Sequence, residues 1–447
     1  MVVLVASLLL QYFSSLHSIT RLLSPMQTES EALPKGRTLQ TIRFYLYPLE
    51  NFPSFWGAGS TCDHSKLLTP KHDGYIYAIQ AMKRHPWRTS NPYEAMLAIL
   101  PLSVDVHARG GCPGLHDYTI LKELKEVLAN STIFPVIRHV FIANDFKSKK
   151  FAATISSLLK PAGIWAATEN RGDCKMSLPY TTNYASYMSM RAPNSYHMPS
   201  PAPFGSNRTY SVNMVGKFDE RVAYKERVAL FTCKGEIPNS FIITSYKARK
   251  YDKMIKKGFH LQFCQSRNDT NRCISRDNFP SRLDTQRAME KSNYTLALRG
   301  DSPGGDRWFQ AMVAGTALIQ VLKSERTWDW LPFPCAIPWR DFVLSIPRKQ
   351  YMREPIKSVK ELISNVTEKK LLKLQNLSIY YAADIDWMAH NSRVLENFLW
   401  EAYYIPCRDF EESICISNSA TLQEKEWCKE HFAMGLETTT LPCKEGK

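Results

Sequence analysis

Continuous apolar runs occur at residues 95–102, 139–143 and 163–167. A stretch with helical spacing at 75–83 precedes the first run, and another at 149–159 lies between the second and the third. A strand that is apolar at every position is typical of a parallel sheet covered on both faces by helices. Strand and helix therefore alternate, which predicts an α/β layered domain. We assign it to residues 41–219, beginning with a strand near residue 42.

The second half of the chain repeats this pattern after a break. Residues 183–219 are rich in Ser, Pro, Asn and Tyr and predict a long surface connection, and 226–235 (ERVALFTCKG) predict the strand that follows it. The clearest unit is 294–322, where strand-like YTLAL, a Gly-rich loop, helix-like DRWFQAMVAG and strand-like TALIQVL succeed one another. These patterns predict a second α/β domain over residues 220–405.

The loop inside that β-loop-α-β unit has the composition of an anion-binding loop. Gly304 and Gly305 permit close backbone approach, and Ser302 is placed to cap a helix whose first turn holds Pro303. A helix that begins at the carboxyl end of a parallel strand presents free N–H groups and a positive dipole end to a phosphate. We expect a negatively charged ligand at this point.

Two arginines border the same loop. Arg307 falls in the first helical turn, where a cation opposes the helix dipole unless an anion is bound, and a diphosphate would supply that anion. Arg299, directly after the first strand, is a second candidate. An ion pair with Asp301 or Asp306 would explain Arg307 equally well, and one with Asp301 would explain Arg299. The residues alone leave both roles open.

Composition narrows the classes of protein. The 447 residues, 44% of them hydrophobic, suit a folded chain of two domains and exclude disorder. The formal charge of +15 favours an anionic partner or describes no more than a basic surface. No module with basic residues and interleaved aromatics is present, which argues against a nucleic-acid binder.

The first segment indicates the secretory pathway. Residues 1–23 carry an apolar run and predict a signal anchor or signal peptide, although a buried helix would also explain them; residues 24–40 predict a polar stem. Glycosylation sequons support the same location, and we expect modification at Asn130, Asn207, Asn268, Asn365 and Asn376. The prediction is a single-pass type II Golgi membrane protein with a lumenal folded region and no nucleic-acid partner.

The eleven cysteines contain no C-x-x-C pair, which argues against a zinc ribbon or a thioredoxin-type site. Four of them lie in or at the start of a predicted C-terminal tail, residues 406–447. Their pairing cannot be deduced from the sequence, and no cluster of metal-ligand type is visible.

The order of these motifs resembles the exostosin family of glycosyltransferases between about Ile42 and Tyr404. In the second half the matching positions are Arg307, Ala311, Met312, Gly315, Leu331, Pro332, Phe333, Trp339 and Phe342. In the first half they are Arg88, Thr89, Asn91, Pro92, Glu94 and Ala95. The chain departs from the family pattern at Gln310, where the family has an acid, at Leu318 and at Asn144.

The resemblance implies a GT-B fold: two Rossmann-like domains with parallel sheets that face a central cleft. It implies an inverting transfer from a UDP- or GDP-sugar to a polysaccharide or proteoglycan-type acceptor, without cofactor or essential metal. Ser302, Gly304, Gly305 and the two arginines would bind the donor together with Gln310, and Trp328, Trp330 and Trp339 are candidates for sugar stacking. Homo- or hetero-oligomers remain an open alternative.

The base that deprotonates the acceptor would come from the first domain, near strand ends. Asp145 is the first candidate, and His107 is the alternative, followed by His72 and Asp73. A structural role is the alternative for each of these residues, and residues of these types at strand ends are more often structural than catalytic. A catalytically inactive, secreted glycan-binding protein on the same scaffold is the alternative function, because Gln310 replaces an acid.

Overall fold

A computed structural model of the chain describes residues 40–63, 74–144, 147–168, 172–179, 208–217, 225–232, 237–246, 273–275, 282–300, 305–387, 392–405 and 407. The predicted signal anchor, almost all of the predicted stem and nearly the whole tail lie outside these ranges. None of the helices within them is long and apolar enough to cross a membrane.

The first half of the described chain forms a parallel six-stranded sheet. Its strands are β1 (Phe44–Leu46), β2 (Arg88–Thr89), β3 (Leu97–Ile99), β4 (Arg138–Ile142), β5 (Gly163–Thr168) and β6 (Lys175–Leu178). Their spatial order is β2-β1-β3-β4-β5-β6. The continuous apolar runs form β3, β4 and β5, and nearly every residue of these strands is buried. The sequence-based prediction of covered parallel strands is confirmed.

Helices cover this sheet on both faces. They are α1 (Pro53–Trp56), α2 (Gly74–Arg84), α3 (Val104–Ala108), α4 (Asp117–Ala129) and α5 (Lys149–Leu158). Short 3-10 helices occur at Leu49–Asn51 and Pro92–Glu94. The predicted helices at 75–83 and 149–159 correspond to α2 and α5. A disulfide between Cys62 and Cys112 joins the segment after α1 to the segment after α3.

The second half forms another parallel six-stranded sheet. Its strands are β7 (Tyr210–Lys217), β8 (Phe241–Tyr246), β9 (Cys273–Ser275), β10 (Ser292–Ala297), β11 (Ala317–Leu322) and β12 (Val343–Pro347). Their spatial order is β12-β11-β10-β7-β8-β9. Numbered from the first strand of this sheet, the order from β9 to β12 is 3-2-1-4-5-6, that of a Rossmann fold. Two Rossmann-like α/β halves in one chain are the GT-B arrangement expected from the sequence.

Two local predictions at the start of the second half are wrong. Residues 210–217, taken as part of a surface connection, form β7, so the second sheet begins before residue 220. The segment predicted as a strand at 226–235 instead begins with a helix, α6 (Lys225–Thr232). An apolar run of four residues suits either a helix or a strand, and the strand position is already occupied by β7.

The remaining helices pack around the second sheet and extend to the end of the described chain. They are α7 (Arg282–Glu290), α8 (Gly305–Val313), α9 (Trp339–Phe342), α10 (Arg348–Arg353), α11 (Pro355–Ser364), α12 (Glu368–Ala382) and α13 (Val394–Tyr404), with a 3-10 helix at Glu325–Trp330. Helix α8 ends at Val313, two residues before the predicted terminal glycine Gly315, whose φ of 66° is the left-handed conformation that follows many helix C-termini.

Helix α13 returns to the first sheet, although it is the last helix of the described chain. It contacts α2, β3 and β6. Arg138, 6% exposed at the start of β4, donates from Nη1 to the carbonyl oxygens of Ala402 (3.3 Å), Tyr403 (2.7 Å) and Ile405 (2.6 Å). A guanidinium satisfies the free carbonyls that end a helix and complements the negative end of its dipole. A disulfide between Cys174, directly before β6, and Cys407 links the residues after α13 to the first sheet.

Candidate functional site

The strand order of the second sheet reverses between β7 and β10, which are paired in parallel. In open α/β sheets the crevice beyond the carboxyl ends of the strands at such a reversal binds ligands, because the following loops diverge there. The sequence from β10 into α8 lies at this point, and so does the end of β7. The loop chosen from the sequence therefore occupies the expected binding position of the fold.

Arg307 in the first turn of α8 is hydrogen-bonded both to β7 and within its own helix. Its Nε donates to the carbonyl oxygen of Val215 in β7 at 3.1 Å, and its Nη1 donates to Oε1 of Gln310 one helical turn later. The side chain is half-buried. A guanidinium fixed by two acceptors loses little side-chain entropy when it binds an anion. The structure thus places a preorganised cation at the strand reversal.

Gln310 contacts this arginine. The residue is 3% exposed, and its amide oxygen accepts the hydrogen bond from Arg307. The buried side chain of Gln310 orients the arginine, and its predicted contact with the donor stays a prediction. A carboxylate in its place would pair with the guanidinium and reduce the positive charge presented to a ligand. The neutral amide positions Arg307 without neutralising it.

A third arginine, which sequence reasoning missed, lies at the same place. Arg227 of α6 donates from Nη2 to the carbonyl oxygen of Leu298 at 3.1 Å. A Cβ atom on Gly216 would lie 3.0 Å from Nη1 of Arg227, and one on Gly300 would lie 2.9 Å from Nη2. The two glycines therefore make room for the guanidinium between the ends of β7 and β10. They are far apart in the chain, so no local sequence signal joins them to Arg227.

The other predicted donor residues are only partly described. Arg299 lies two residues after the end of β10, is half-buried, and has a buried Nε without a hydrogen-bond partner among the described residues. Gly305 has a φ of 64°, a left-handed conformation that glycine adopts without strain. Ser302 and Gly304 lie outside the described residues, so their roles stay predictions.

In the first half, a buried carboxylate organises the carboxyl ends of β3 and β4. Asp105 is 2% exposed, and its oxygens accept hydrogen bonds from the backbone N–H of Asn144 at 2.7 Å and from the hydroxyl of Ser148 at 3.0 Å. Asn144 in turn accepts from the N–H of Thr168. Asp145, the candidate base, lies outside the described residues, but both sides of its loop are fixed by Asp105.

His107, the alternative base, is engaged in α3. Its Nε2 lies 2.6 Å from Oδ1 of Asp117, and its Nδ1 is buried without a hydrogen-bond partner among the described residues. A general base needs a ring nitrogen within reach of the acceptor hydroxyl. This geometry counts against His107 as the base, and the role of Asp145 stays a prediction. His72 and Asp73 lie outside the described residues.

The three candidate tryptophans differ in exposure. Trp328 and Trp339 are 7% and 3% exposed and pack edge-on against buried Trp308. Trp330 is 39% exposed, and its carbonyl oxygen accepts from the Ser177 hydroxyl of β6 at 2.8 Å. Of these three rings only Trp330 is accessible to a sugar. Within the described ranges no three His, Cys, Asp or Glu side chains are grouped as metal ligands.

The predicted glycosylation sites also separate by environment. Asn130 and Asn365 are exposed residues that directly follow α4 and α11. Asn376 lies inside α12 with its Oδ1 buried and unpartnered among the described residues, and Ser378 of its sequon is fully buried, which argues against a glycan there. Asn207 and Asn268 lie outside the described residues.

Comparisons with known proteins yield only distant structural likenesses. No family profile matches the chain, and no curated protein matches it. HepE of Anabaena in complex with UDP covers 80% of this chain and 99% of its own, at 10% identity and a TM-score of 0.38. The trehalose-6-phosphate phosphatase N-terminal domain of Candida albicans covers 83% and 98%, at 7% identity and 0.40.

A third solved structure is α,α-trehalose 6-phosphate synthase of Burkholderia multivorans. It covers 82% of this chain and 83% of its own, at 8% identity and a TM-score of 0.38. Likenesses at such low identities and scores carry no argument about function. The fold assignment rests on the two parallel sheets and their strand orders.

Proposed function

We propose that this chain is a glycosyltransferase whose nucleotide-diphosphate sugar donor binds at the strand reversal of the second sheet. The observation that carries the proposal is the gathering of Arg227, Arg299 and Arg307 at the ends of β7 and β10. Arginine residues at the ends of β7 and β10 and in the first turn of α8 favour a ligand with more than one negative charge. A diphosphate has that charge, and the Rossmann-like sheet is suited to the attached nucleoside.

The same cations would also assist the departure of the leaving group. When an acceptor hydroxyl attacks the anomeric carbon, the bond from that carbon to the phosphate oxygen breaks and its electron pair stays on the nucleoside diphosphate. Arg307 and its neighbours stabilise the negative charge that develops there. The reaction proposed is inverting and requires no essential metal.

The attacking hydroxyl loses its proton to a base from the first half of the chain. We assign this role to Asp145, in the loop whose two sides are hydrogen-bonded to the buried Asp105. A carboxylate that receives the proton becomes neutral, which balances the charge that leaves with the nucleotide. Asp105 acts as a positioning residue, because both of its oxygens already accept hydrogen bonds.

The finer assignment follows the resemblance in sequence. We propose an exostosin-like enzyme that acts on a polysaccharide or proteoglycan-type acceptor in the Golgi lumen, anchored by residues 1–23. The exposed Asn130 and Asn365 and the disulfide between Cys62 and Cys112 support an oxidising compartment. The alternative is an inactive glycan-binding protein on the same scaffold.

A donor screen tests the proposal. The purified full-length chain is incubated with a panel of UDP- and GDP-sugars, and release of the nucleoside diphosphate is measured with and without added glycan acceptors. Calorimetry with UDP and GDP is run in parallel. We expect binding of one nucleotide and turnover of one of its sugars. Binding without turnover across the panel would favour an inactive protein, and no binding of either nucleotide would contradict the donor site.

A further inference from the structure

A cavity of about 490 Å³ lies beside β1 and α4, and its lining residues are not used by the proposed reaction. Its wall is formed by β1, the turn that follows it, the C-terminal part of α4 and the turn after α4. The residues that matter here are Tyr45, Tyr47, Asn51, Glu123, Glu126 and Asn130. Its volume is within the range of small-molecule binding sites.

Two lining residues, Tyr47 and Ser131, belong to an uncharged hydrogen-bonded chain in the wall of the cavity, which continues beyond the lining to His139 and Ile137. The hydroxyl of Tyr47 lies 2.7 Å from Oγ of Ser131 and 2.9 Å from Nε2 of His139, and Nδ1 of His139 lies 2.8 Å from the carbonyl oxygen of Ile137. Burial lowers the pKa of His139 to about 4, so the imidazole is neutral at physiological pH. This wall therefore adds no positive charge to the cavity.

The charged residues of the lining are both acidic. The carboxylate of Glu123 accepts from the backbone N–H of Ser54 at 3.0 Å and from its hydroxyl at 2.5 Å, and Glu126 forms an exposed ion pair with Lys122. The lining contains no lysine, arginine or histidine. In a chain with a formal charge of +15, this cavity would repel the anionic ligand that the second sheet is built to attract.

We propose that this cavity binds a neutral saccharide, and that the saccharide is the first sugar of a glycan attached to Asn130. Tyr45 is half-buried beside Tyr47, with the rings edge to face at 5.2 Å, and an aromatic surface of this kind packs against the C–H face of a pyranose. The carboxylate of Glu126 and the amide of Asn51 supply acceptors and a donor for sugar hydroxyl or acetamido groups. Neither interaction requires a charged ligand.

The position of Asn130 indicates that the sugar belongs to a glycan attached to this asparagine. Asn130 lines the cavity, is exposed and begins the sequon Asn-Ser-Thr at 130–132. A covalently attached sugar would enter the adjacent cavity at high effective concentration, so modest contacts would keep it there. The inference rests on passage through the secretory pathway but not on glycosyl transfer, so the donor screen can fail while this inference stands.

Asn365 provides a matched control. It ends α11 with φ −88° and ψ −1°, as Asn130 ends α4 with φ −92° and ψ 0°, and both residues are exposed. Of the two, only Asn130 lines the cavity. The full chain, produced in a eukaryotic secretory host, is treated with peptide N-glycosidase under native conditions, and glycan removal at each site is followed by mass spectrometry.

We expect the Asn130 glycan to be released about tenfold more slowly than the Asn365 glycan, as contacts worth roughly 1.4 kcal/mol would give. After denaturation the two rates should be equal. Tyr45→Leu and Glu126→Gln should each accelerate release at Asn130 and leave Asn365 unchanged; the second variant alters an exposed residue and preserves the fold. Equal native rates at the two sites, with both occupied, would overturn the tethered saccharide.

A second arm distinguishes a free saccharide. Thr132→Ala removes the sequon while keeping Asn130, and binding of N,N′-diacetylchitobiose to this variant is measured by NMR. Binding that Tyr45→Leu abolishes supports the saccharide site, and if Asn130 of the wild-type chain is unmodified, it assigns the site to a free glycan. Absence of binding, together with an unmodified or unprotected Asn130, would overturn the proposal.

Discussion

The two Rossmann-like halves have the same layered architecture, but the side chains at the carboxyl ends of their strands differ in charge. In the second sheet, strand order 3-2-1-4-5-6 brings three arginines to the reversal between β7 and β10. In the first, order 2-1-3-4-5-6 places the reversal between β1 and β3, where α3 follows β3 with Asp105 and His107. The comparison teaches that the same sheet architecture can carry different side chains at its strand ends, so the fold alone does not determine what either edge binds.

The means by which each edge is built also differ. Beside β7 and β10, the absence of side chains at Gly216 and Gly300 creates the space that the Arg227 guanidinium occupies. At β3 and β4, the buried carboxylate of Asp105 is used entirely to hold the next loop. The second edge therefore carries guanidinium groups beside the strand reversal, whereas the buried carboxylate at the first edge is used within the fold.

The comparison depends most on Arg307. Arg307→Ala should remove about 2 to 4 kcal/mol of transition-state stabilisation, because it deletes a fixed cation that would contact the leaving diphosphate. The measurement is kcat/KM for the donor found in the screen, with thermal unfolding as the check on folding. Arg353→Ala, at a side chain 78% exposed, is the control and should have no effect. Full activity of the Arg307 variant would remove the diphosphate role.

The neutral state of the buried His139 imidazole can be tested by the pH dependence of stability. Burial lowers the pKa of His139 from 6.5 to about 4, partly offset by its hydrogen bond to Ile137. Between those values the unfolded chain binds a proton that the folded chain does not, so stability should fall as pH decreases from 6.5 to 4. The loss should approach about 3 kcal/mol.

Urea unfolding at several pH values checks this expectation, with His139→Gln as the comparison. Glutamine keeps a polar partner for Tyr47 but does not titrate, so the variant should lack this part of the pH dependence. Parallel pH profiles for the two proteins would mean that His139 is not the group responsible.

A smaller effect tests the space beside Arg227. Gly300→Ala places a Cβ 2.9 Å from Nη2 of Arg227, and the flexible guanidinium can move away at little cost to stability. We expect the affinity for the nucleoside diphosphate to fall about tenfold, the value of a hydrogen bond to a charged group, while the melting temperature hardly changes. Calorimetry measures the affinity. Gly59→Ala, where a Cβ would meet nothing within 4 Å, is the matched control.

The smallest effect should come from the residue that orients Arg307. Gln310→Met keeps the side-chain volume but removes the acceptor oxygen, and Arg307 retains its bond to Val215. We expect kcat/KM to fall a few-fold, as for the loss of about 1 kcal/mol of hydrogen bonding. An unchanged value would show that the bond to Val215 suffices, and a loss as large as that of Arg307→Ala would indicate direct contact of Gln310 with the donor.

Elements formed by neighbours in sequence were predictable. The unit from β10 through α8 to β11 was recognised because two apolar runs, a glycine loop and a C-terminal Gly315 lie within thirty residues or so of one another. Strand β7 was not predicted, although Tyr210 and Val212 alternate with polar residues as in a strand. The residues before it are rich in Ser, Pro and Asn, and this composition is typical of a surface connection.

Contacts between distant parts of the chain could not be predicted. Arg227 is a polar residue on a short helix until the fold brings Gly216 and Gly300 to it. Gln310 was recognised as unusual, but its role depends on a side-chain rotamer that directs it to Arg307. A local pattern reports which element a residue joins, whereas a site depends on which other elements that residue meets.

Arg138 ties the last described helix to an early strand, and this has a consequence for how the chain is made. Domains generally fold as they emerge from the ribosome, N-terminal part first. The surfaces of α2, β3 and β6 covered by α13 are synthesised early, but their cover includes residues 394–404. We therefore expect the first half to complete its packing only after the second has been synthesised, and a chain that stops before residue 394 to leave the surface under α13 exposed to chaperones.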